Sequence, residues 1–517
     1  MNPVRLNGND LSFSDLHDVV FERRPVLLSG DAREKVNAAR AVVDAMVEEN
    51  KVAYAITTGV GKLSDVRIEP AQNRQLQLNL IRSHSVGVGE PLAQAETRAM
   101  MLLRANSLAK GFSGVRAEVI DLLCEMLNRS VHPVVPSQGS VGASGDLAPL
   151  AHLALVMIGE GEAIFEGAHN RPGENRMSGG DALRRAGLKP LVPEAKEAIS
   201  LMNGTQAMLA VGSLALLQAE TLAATADVLG AMSLDALHGT DVAFDERIHR
   251  ARPHAGQIKV AANLRRLIAG SRIRESHKDC GRVQDAYSLR CIPQVHGAVR
   301  DTLEFCRRTF EIEMNSAVDN PLVFPGSKDR PDGDVVSGGN FHGQPLAFAL
   351  DYLAIALTAL AGISERRIER LVNPALNEGL PPFLTSDAGM NSGFMMPQVT
   401  AAALASENKV LAHPASVDSI TTSGNKEDYV SMGMAAAIKL KKVVANTVHV
   451  LAIEACAATQ ALDCLAPLTT SPPLQQAHAA VRRVSNRIEQ DRALAPDISS
   501  IAAIITKGVL AEVTGAV

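Results

Sequence analysis

Residues 205–237 are an alanine- and leucine-rich stretch with almost no helix breaker, and that stretch limits the folds open to this chain. A helix of thirty residues is about 45 Å long, longer than most globular domains need. Residues 93–128, 346–372, 399–411 and 431–465 carry helical patterns too, with apolar residues recurring at three and four. Pro345 suits the first turn of the 346–372 helix. Apolar residues on several faces of one helix require burial on several sides. The pattern therefore predicts an all-α bundle whose central helices are covered by others, including helices of other subunits. Tryptophan is absent and tyrosine occurs only at 54, 287, 352 and 429. The core must be built from Ala, Leu, Val, Ile and Met, and small residues let helices approach closely.

Size and charge exclude several classes. The chain has 517 residues, enough for a large core and more than one lobe. A net charge of −5 gives no basic footprint for nucleic acid. No charged-then-apolar leader opens the sequence. The apolar run 353–363 is too short to span a bilayer, so no membrane partner is expected. Cysteines 124, 280, 291, 306, 456 and 464 lack CxxC spacing. They read as reduced, buried thiols of a cytoplasmic protein. His, Asp and Glu show no tight metal-binding spacing. Strand-like runs are few: 25–28, 52–56 and 322–324. Gly-, Asn-, Ser- and Pro-rich loops separate the helices. A boundary near residue 200 divides an N-terminal lobe, 1–200, from a long-helix and tetramerisation region, 201–517.

The tripeptide Ala143-Ser144-Gly145 can become an electrophile by itself. If a turn brings the Gly145 nitrogen against the Ala143 carbonyl carbon, a five-membered ring closes. Loss of two waters, one from the Ser144 hydroxyl, leaves a methylidene-imidazolone, MIO. Glycine suits the third position because a side chain would crowd the attacking nitrogen. Tyr54 stands just before the glycine-hinged loop Thr57-Thr58-Gly59-Val60-Gly61. A mobile lid there can carry a phenol to a substrate and exclude water. A phenol titrates near about 10, so such a base needs a site that stabilises phenolate. His84 can hydrogen-bond a polar ring; read alone, it is a structural histidine at a helix end. Thr205 is a fair N-cap for the helix after Asn203. Arg290 offers the planar fork that grips a carboxylate through two parallel bonds. Lys426-Glu427-Asp428 alone reads as a solvated charge run.

The run from Gly139 to His152, with Ser140-Val141-Gly142-Ala143-Ser144-Gly145-Asp146 at its centre, resembles the signature of the aromatic amino acid ammonia-lyase family. The likeness extends over about residues 5–510, with motifs in family order. Met202-Asn203-Gly204-Thr205-Gln206, the segment Gln284–Gln294, Gly338–Gln344, Asn391–Met395 and Ser423–Met432 all take part. The resemblance implies an all-α, aspartase/fumarase-like core of very long helices. It adds a smaller N-terminal lobe holding the MIO loop, and a homotetramer whose active sites are shared between subunits. It implies an MIO formed from Ala143, Ser144 and Gly145 with no external cofactor, and a Tyr54 that removes the β-proton. Asn203 would contact the MIO oxygen or the substrate carboxylate, and Arg290 would hold that carboxylate. Gln284 and Tyr287 would polarise the MIO and orient the substrate, and Phe394 would back the MIO ring.

Ser83-His84, Gln206 and Glu427 resemble the form found in the histidine enzymes, with His84 and Glu427 facing the substrate imidazole. The expected reaction is non-oxidative loss of ammonia from L-histidine, giving trans-urocanate, as in histidine degradation. Val60, Thr57-Thr58, Lys426 and Tyr429 depart from that form. They leave a tyrosine ammonia-lyase or a tyrosine 2,3-aminomutase as alternatives within the family. A non-catalytic helical scaffold is the alternative outside it.

Overall fold

A computed structural model describes residues 2–167, 175–279, 281, 283–328 and 330–515. The fold is all-α. Among the described residues there are nineteen α-helices, and the nine strands are only three or four residues long. The chain divides into two units. One comprises Met1–Leu214, Arg307–Leu350 and Pro414–Ile438; the other comprises Ala215–Cys306, Asp351–His413 and Lys439–Val517. Four of the five divisions fall inside long helices, Gln206–Ala236, Ile292–Met314, Gln344–Val372 and Gly433–Cys464; the fifth, between His413 and Pro414, follows the helix Met395–Leu411.

The first unit is organised around the helix Gln94–Ala109, buried at every position from Glu96 to Ala109. Helices Phe13–Val20, Gly30–Glu48 and Ala117–Asn128 pack on it. Ser12 and Asp15 start the first of these with a reciprocal capping box, and Ser29 caps the second. Two arginines of the central helix are therefore fully buried, and both turn to backbone carbonyls. Arg98 donates to the oxygens of Val19, Val20 and Leu127.

Two sequence expectations change here. The single helix expected over 93–128 is two helices, broken at 110–116. Gly111 (φ +84°) and Gly114 (φ +68°) take left-handed backbone there. A Cβ on Gly114 would lie 2.5 Å from Val43 Cγ2, so the break also lets Gly30–Glu48 approach. The strand-like run 52–56 is a turn. Thr57 Oγ1 accepts from the Ala53 N–H at 2.9 Å, and Thr58 Oγ1 accepts from the Ala55 N–H at 3.1 Å. Threonine side chains outcompete a strand ladder by offering the backbone local acceptors. The other two runs are strands: Val26–Leu28 pairs in parallel with Val4–Leu6, and Leu322–Phe324 pairs antiparallel with Asp334–Val336.

In the second unit Ala361, Ile368, Ala401, Val450 and Ile453 form one buried cluster. Beside this apolar packing, Arg367 grips Glu454 with both arms of its guanidinium. The Ser233 and Ser364 hydroxyls also donate to that carboxylate, so the buried charges are paired and hydrogen-bonded.

By length and composition alone, Gln206–Ala236 and Gln344–Val372 are long and apolar enough to cross a membrane. Their apolar windows are 72% and 61% buried inside the protein, as in core helices. Cys124, Cys306 and Cys456 are buried cysteines outside any disulfide, whereas Cys291 and Cys464 are half-buried; Cys280 lies outside the described residues. Burial pushes the Cys124 and Cys306 thiols up to about 12, which leaves them unreactive at neutral pH.

Candidate active site

The Ala143-Ser144-Gly145 loop is held from inside the first unit. Asp146 is its anchor. The Asp146 N–H donates to Gly204 O at 2.7 Å, and its carboxylate accepts from the Met208 N–H and the Ser140 hydroxyl, both at 2.8 Å. The loop is thereby tied to the start of the Gln206–Ala236 helix, where unpaired N–H groups favour a carboxylate. Burial still holds the Asp146 carboxyl up at about 6, against the pull of these donors. The acceptor for Met208 is thus Asp146 and not Thr205, whose hydroxyl donates to Glu313 at 2.5 Å.

Ser144 (φ +54°) and Gly145 (φ +72°) both take left-handed backbone. A Cβ on Gly145 would stand 2.1 Å from the Gly204 oxygen. The third position must therefore be glycine for a second reason: the loop lies against the Gly204 backbone. The Asn203 side-chain N–H donates to the Ser144 carbonyl at 2.9 Å. The Ser144 hydroxyl donates to a Glu427 carboxylate oxygen, also at 2.9 Å. The other Glu427 oxygen accepts from the Thr422 hydroxyl.

These residues face a cavity of about 830 Å³, lined by Tyr54, His84, Ala143, Ser144, Asn203 and Glu427 among others. All of them belong to the first unit. The Tyr54 phenol oxygen accepts from the Gly61 N–H at 3.1 Å. The His84 Nδ1 lies 2.8 Å from Leu80 O. A carbonyl can only accept, so Nδ1 carries the proton, and a neutral His84 keeps its Nε2 as an acceptor. Sequence reasoning gave no role to several other lining residues. Lys62 and Phe341 are examples, as is His342, whose ring stacks on Tyr429 at 6.1 Å between centroids.

The aromatic amino acid lyase family profile matches residues 11–483. The chain belongs to the aromatic amino acid lyase family. A histidine ammonia-lyase of Koribacter versatilis is 69% identical to it, over 99% of each chain. Among solved structures, histidine ammonia-lyase from Trypanosoma cruzi aligns with a TM-score of 0.90 at 43% identity, covering 99% of this chain and 95% of that one. Tyrosine aminomutase from Streptomyces globisporus aligns with a TM-score of 0.92 at 38% identity, covering 99% and 98%.

Gln284, Tyr287, Arg290 and Phe394, which the lyase resemblance also singled out, lie in the second unit and are not among the residues that line the cavity. Tyr287 and Arg290 share one helical turn, Tyr287–Arg290. Tyr287 is 71% exposed, and the Arg290 guanidinium lies over its ring at 4.7 Å. Arg290 has no carboxylate partner among the described residues. Gln284 is exposed beside them. Phe394, by contrast, is buried at the start of the Met395–Leu411 helix, its N–H donating to Phe383 O. In this lyase the sequence candidates thus do not all share the Ser144 cavity, and Tyr287 and Arg290 pair with each other.

Proposed function

We propose that this chain eliminates ammonia from L-histidine to give trans-urocanate, using an MIO formed from Ala143, Ser144 and Gly145. The observation that carries the reading is Ser144 itself. Its carbonyl takes the Asn203 donor and its hydroxyl meets Glu427, in one cavity with Tyr54 and His84. When formed, the MIO supplies an electrophile that turns the substrate amine into a better leaving group.

The chain's own residues account for the rest of the chemistry. The Asn203 donor at the Ser144 carbonyl polarises that oxygen. Tyr54, with the Gly61 N–H on its oxygen, is the base for the β-proton. Dehydration removes the donor that now occupies one Glu427 oxygen, so that oxygen is free to accept from the imidazole N–H. The other ring nitrogen falls to His84. A protonated His84 donates to it through Nε2, and a neutral His84 accepts there only from a protonated ring. The expected test result is that purified protein is two waters lighter than its sequence and converts histidine to an unsaturated acid. Preferred turnover of tyrosine, or a β-amino acid as product, would instead support the tyrosine lyase or aminomutase reading. An unmodified mass with no turnover would support a scaffold.

We further propose a homotetramer in which neighbouring copies supply Gln284, Tyr287 and Arg290 to each cavity. The exposed Tyr287 and the unpaired Arg290 support this, as does the exposed apolar stripe Phe348, Tyr352 and Ile355 on Gln344–Val372. Arg290→Lys keeps the charge and loses the fork. It lowers kcat/KM by about 10- to 100-fold, as expected for losing a charged hydrogen bond of roughly 1.5–3 kcal/mol. Tyr54→Phe and Arg290→Lys chains, each impaired alone, regain turnover when co-assembled, because some sites then draw both intact residues from different copies. Activity no higher than the sum of the separate variants would place both residues in one copy's site.

A further inference from the structure

Behind the cavity, the segment Asn203-Gly204-Thr205-Gln206 is gripped by a cation that touches no substrate position. Arg104 sits in the buried stretch Glu96–Ala109 of the Gln94–Ala109 helix and has no exposed surface. One guanidinium nitrogen donates to Asn203 O at 3.0 Å and to Gln206 Oε1 at 2.8 Å. The other donates to Ser200 O. Ser200 and Asn203 close the short helix Glu197–Met202, so Arg104 places a positive charge on carbonyls at a helix C-terminus. The fit leaves no slack: a Cβ on Gly204 would stand 2.2 Å from Arg104 Nη1.

The opposite side of the same segment holds the reactive loop. Gly204 O accepts from the Asp146 N–H, and Gly145 bridges to Gly204. The Asn203 carboxamide reaches the Ser144 carbonyl from here, and its own oxygen is buried without a partner. Among the described residues nothing else bonds the Asn203 side chain, so its aim is set by its backbone, and Arg104 binds that backbone. A second buried cation braces the same helix. Lys196 donates to the Ser200 hydroxyl at 2.9 Å and pairs with Asp319 at 3.2 Å. Burial lowers Arg104 only to about 10, so it is charged at neutral pH.

We propose that Arg104 is a positioning residue: it fixes the 203–206 turn so that Asn203 meets the Ser144 carbonyl, and through that contact it governs ring closure at Ala143-Ser144-Gly145. The inference rests on the reading that this tripeptide cyclises. Ring closure needs the Gly145 nitrogen held against the Ala143 carbonyl carbon, and both loop and donor hang on one short turn. A displacement of an ångström in such an arrangement costs about 10²-fold in rate.

The test compares two buried arginines of one helix. Arg98 also donates to backbone carbonyls, but none belongs to the 203–206 turn. Arg104→Lys and Arg98→Lys are purified, their melting temperatures measured, and their intact masses recorded from soon after synthesis. Both are destabilised. Arg98→Lys loses two waters as completely as wild type. Arg104→Lys keeps both waters in most folded chains, and the chains that do cyclise show kcat lowered by about 10²-fold with KM little changed. Folded Arg104→Lys that is fully dehydrated and turns over normally overturns the proposal. If Arg104→Lys does not fold, Gln206→Met decides: removing one guanidinium acceptor slows dehydration if the proposal holds, and normal dehydration overturns it. A wild-type chain that retains both waters instead removes the cyclisation reading itself.

Discussion

Ser144→Ala retains both waters that the proposed cyclisation removes from the wild-type chain, and its turnover falls by at least about 10²-fold. A positioned base alone contributes about 10²–10⁴-fold, whereas enzyme rate enhancements begin near about 10⁶-fold. The difference is the share left to an electrophile that only Ser144 can generate. The substitution fits the fold. Ser144 has φ +54°, which strains alanine modestly, and the hydroxyl that donates to Glu427 is one that dehydration also removes. Loss of activity therefore comes with a nearly unchanged melting curve. Intact mass, turnover of histidine and the melting curve measure the three outcomes separately. Normal turnover by Ser144→Ala would remove the cofactor from the reaction.

Glu427→Gln separates ring recognition from chemistry. In the wild type one Glu427 oxygen is held by Thr422 and the other by the Ser144 hydroxyl. Once that hydroxyl is gone, an ionised carboxylate can accept from an imidazole N–H inside the cavity. A glutamine turned the wrong way presents two N–H groups there and leaves a buried polar group unpaired. That costs about 1–3 kcal/mol, or about 10- to 100-fold in kcat/KM for histidine. Residual turnover of tyrosine or phenylalanine, which have no imidazole N–H to donate, changes far less. The chain must remain two waters lighter, which shows that the loss lies in binding the ring. Equal losses for histidine and tyrosine would move Glu427 from ring recognition to the shared chemistry.

The two readings differ in how they were reached. Ala143-Ser144-Gly145 is legible from residue types, because only that order supplies an unhindered nitrogen and a leaving hydroxyl. Glu427 is not. Its tripeptide with Lys426 and Asp428 looks like a solvated run, and only the return of segment 414–438 to the first unit brings it to Ser144. Asp146 could be quoted from the motif but not given its task, since its partner Met208 lies far along the chain. Arg104 left one trace, a charge inside a run that otherwise reads as core, but nothing local showed that the charge would serve the Asn203 turn.

The sequence by itself determined the all-α class, the long helices and the residues that can make an electrophile. Helical periodicity, scarcity of breakers and the covalent demands of ring closure are local properties. Only the tertiary structure decided which candidates share a cavity. It also decided where the 93–128 run breaks, at glycines that permit close approach of a neighbouring helix. It made Thr205 a donor to Glu313 and not the cap of its own helix. These outcomes depend on contacts between residues far apart in sequence, and such contacts are fixed by packing and by the pairing of buried polar groups.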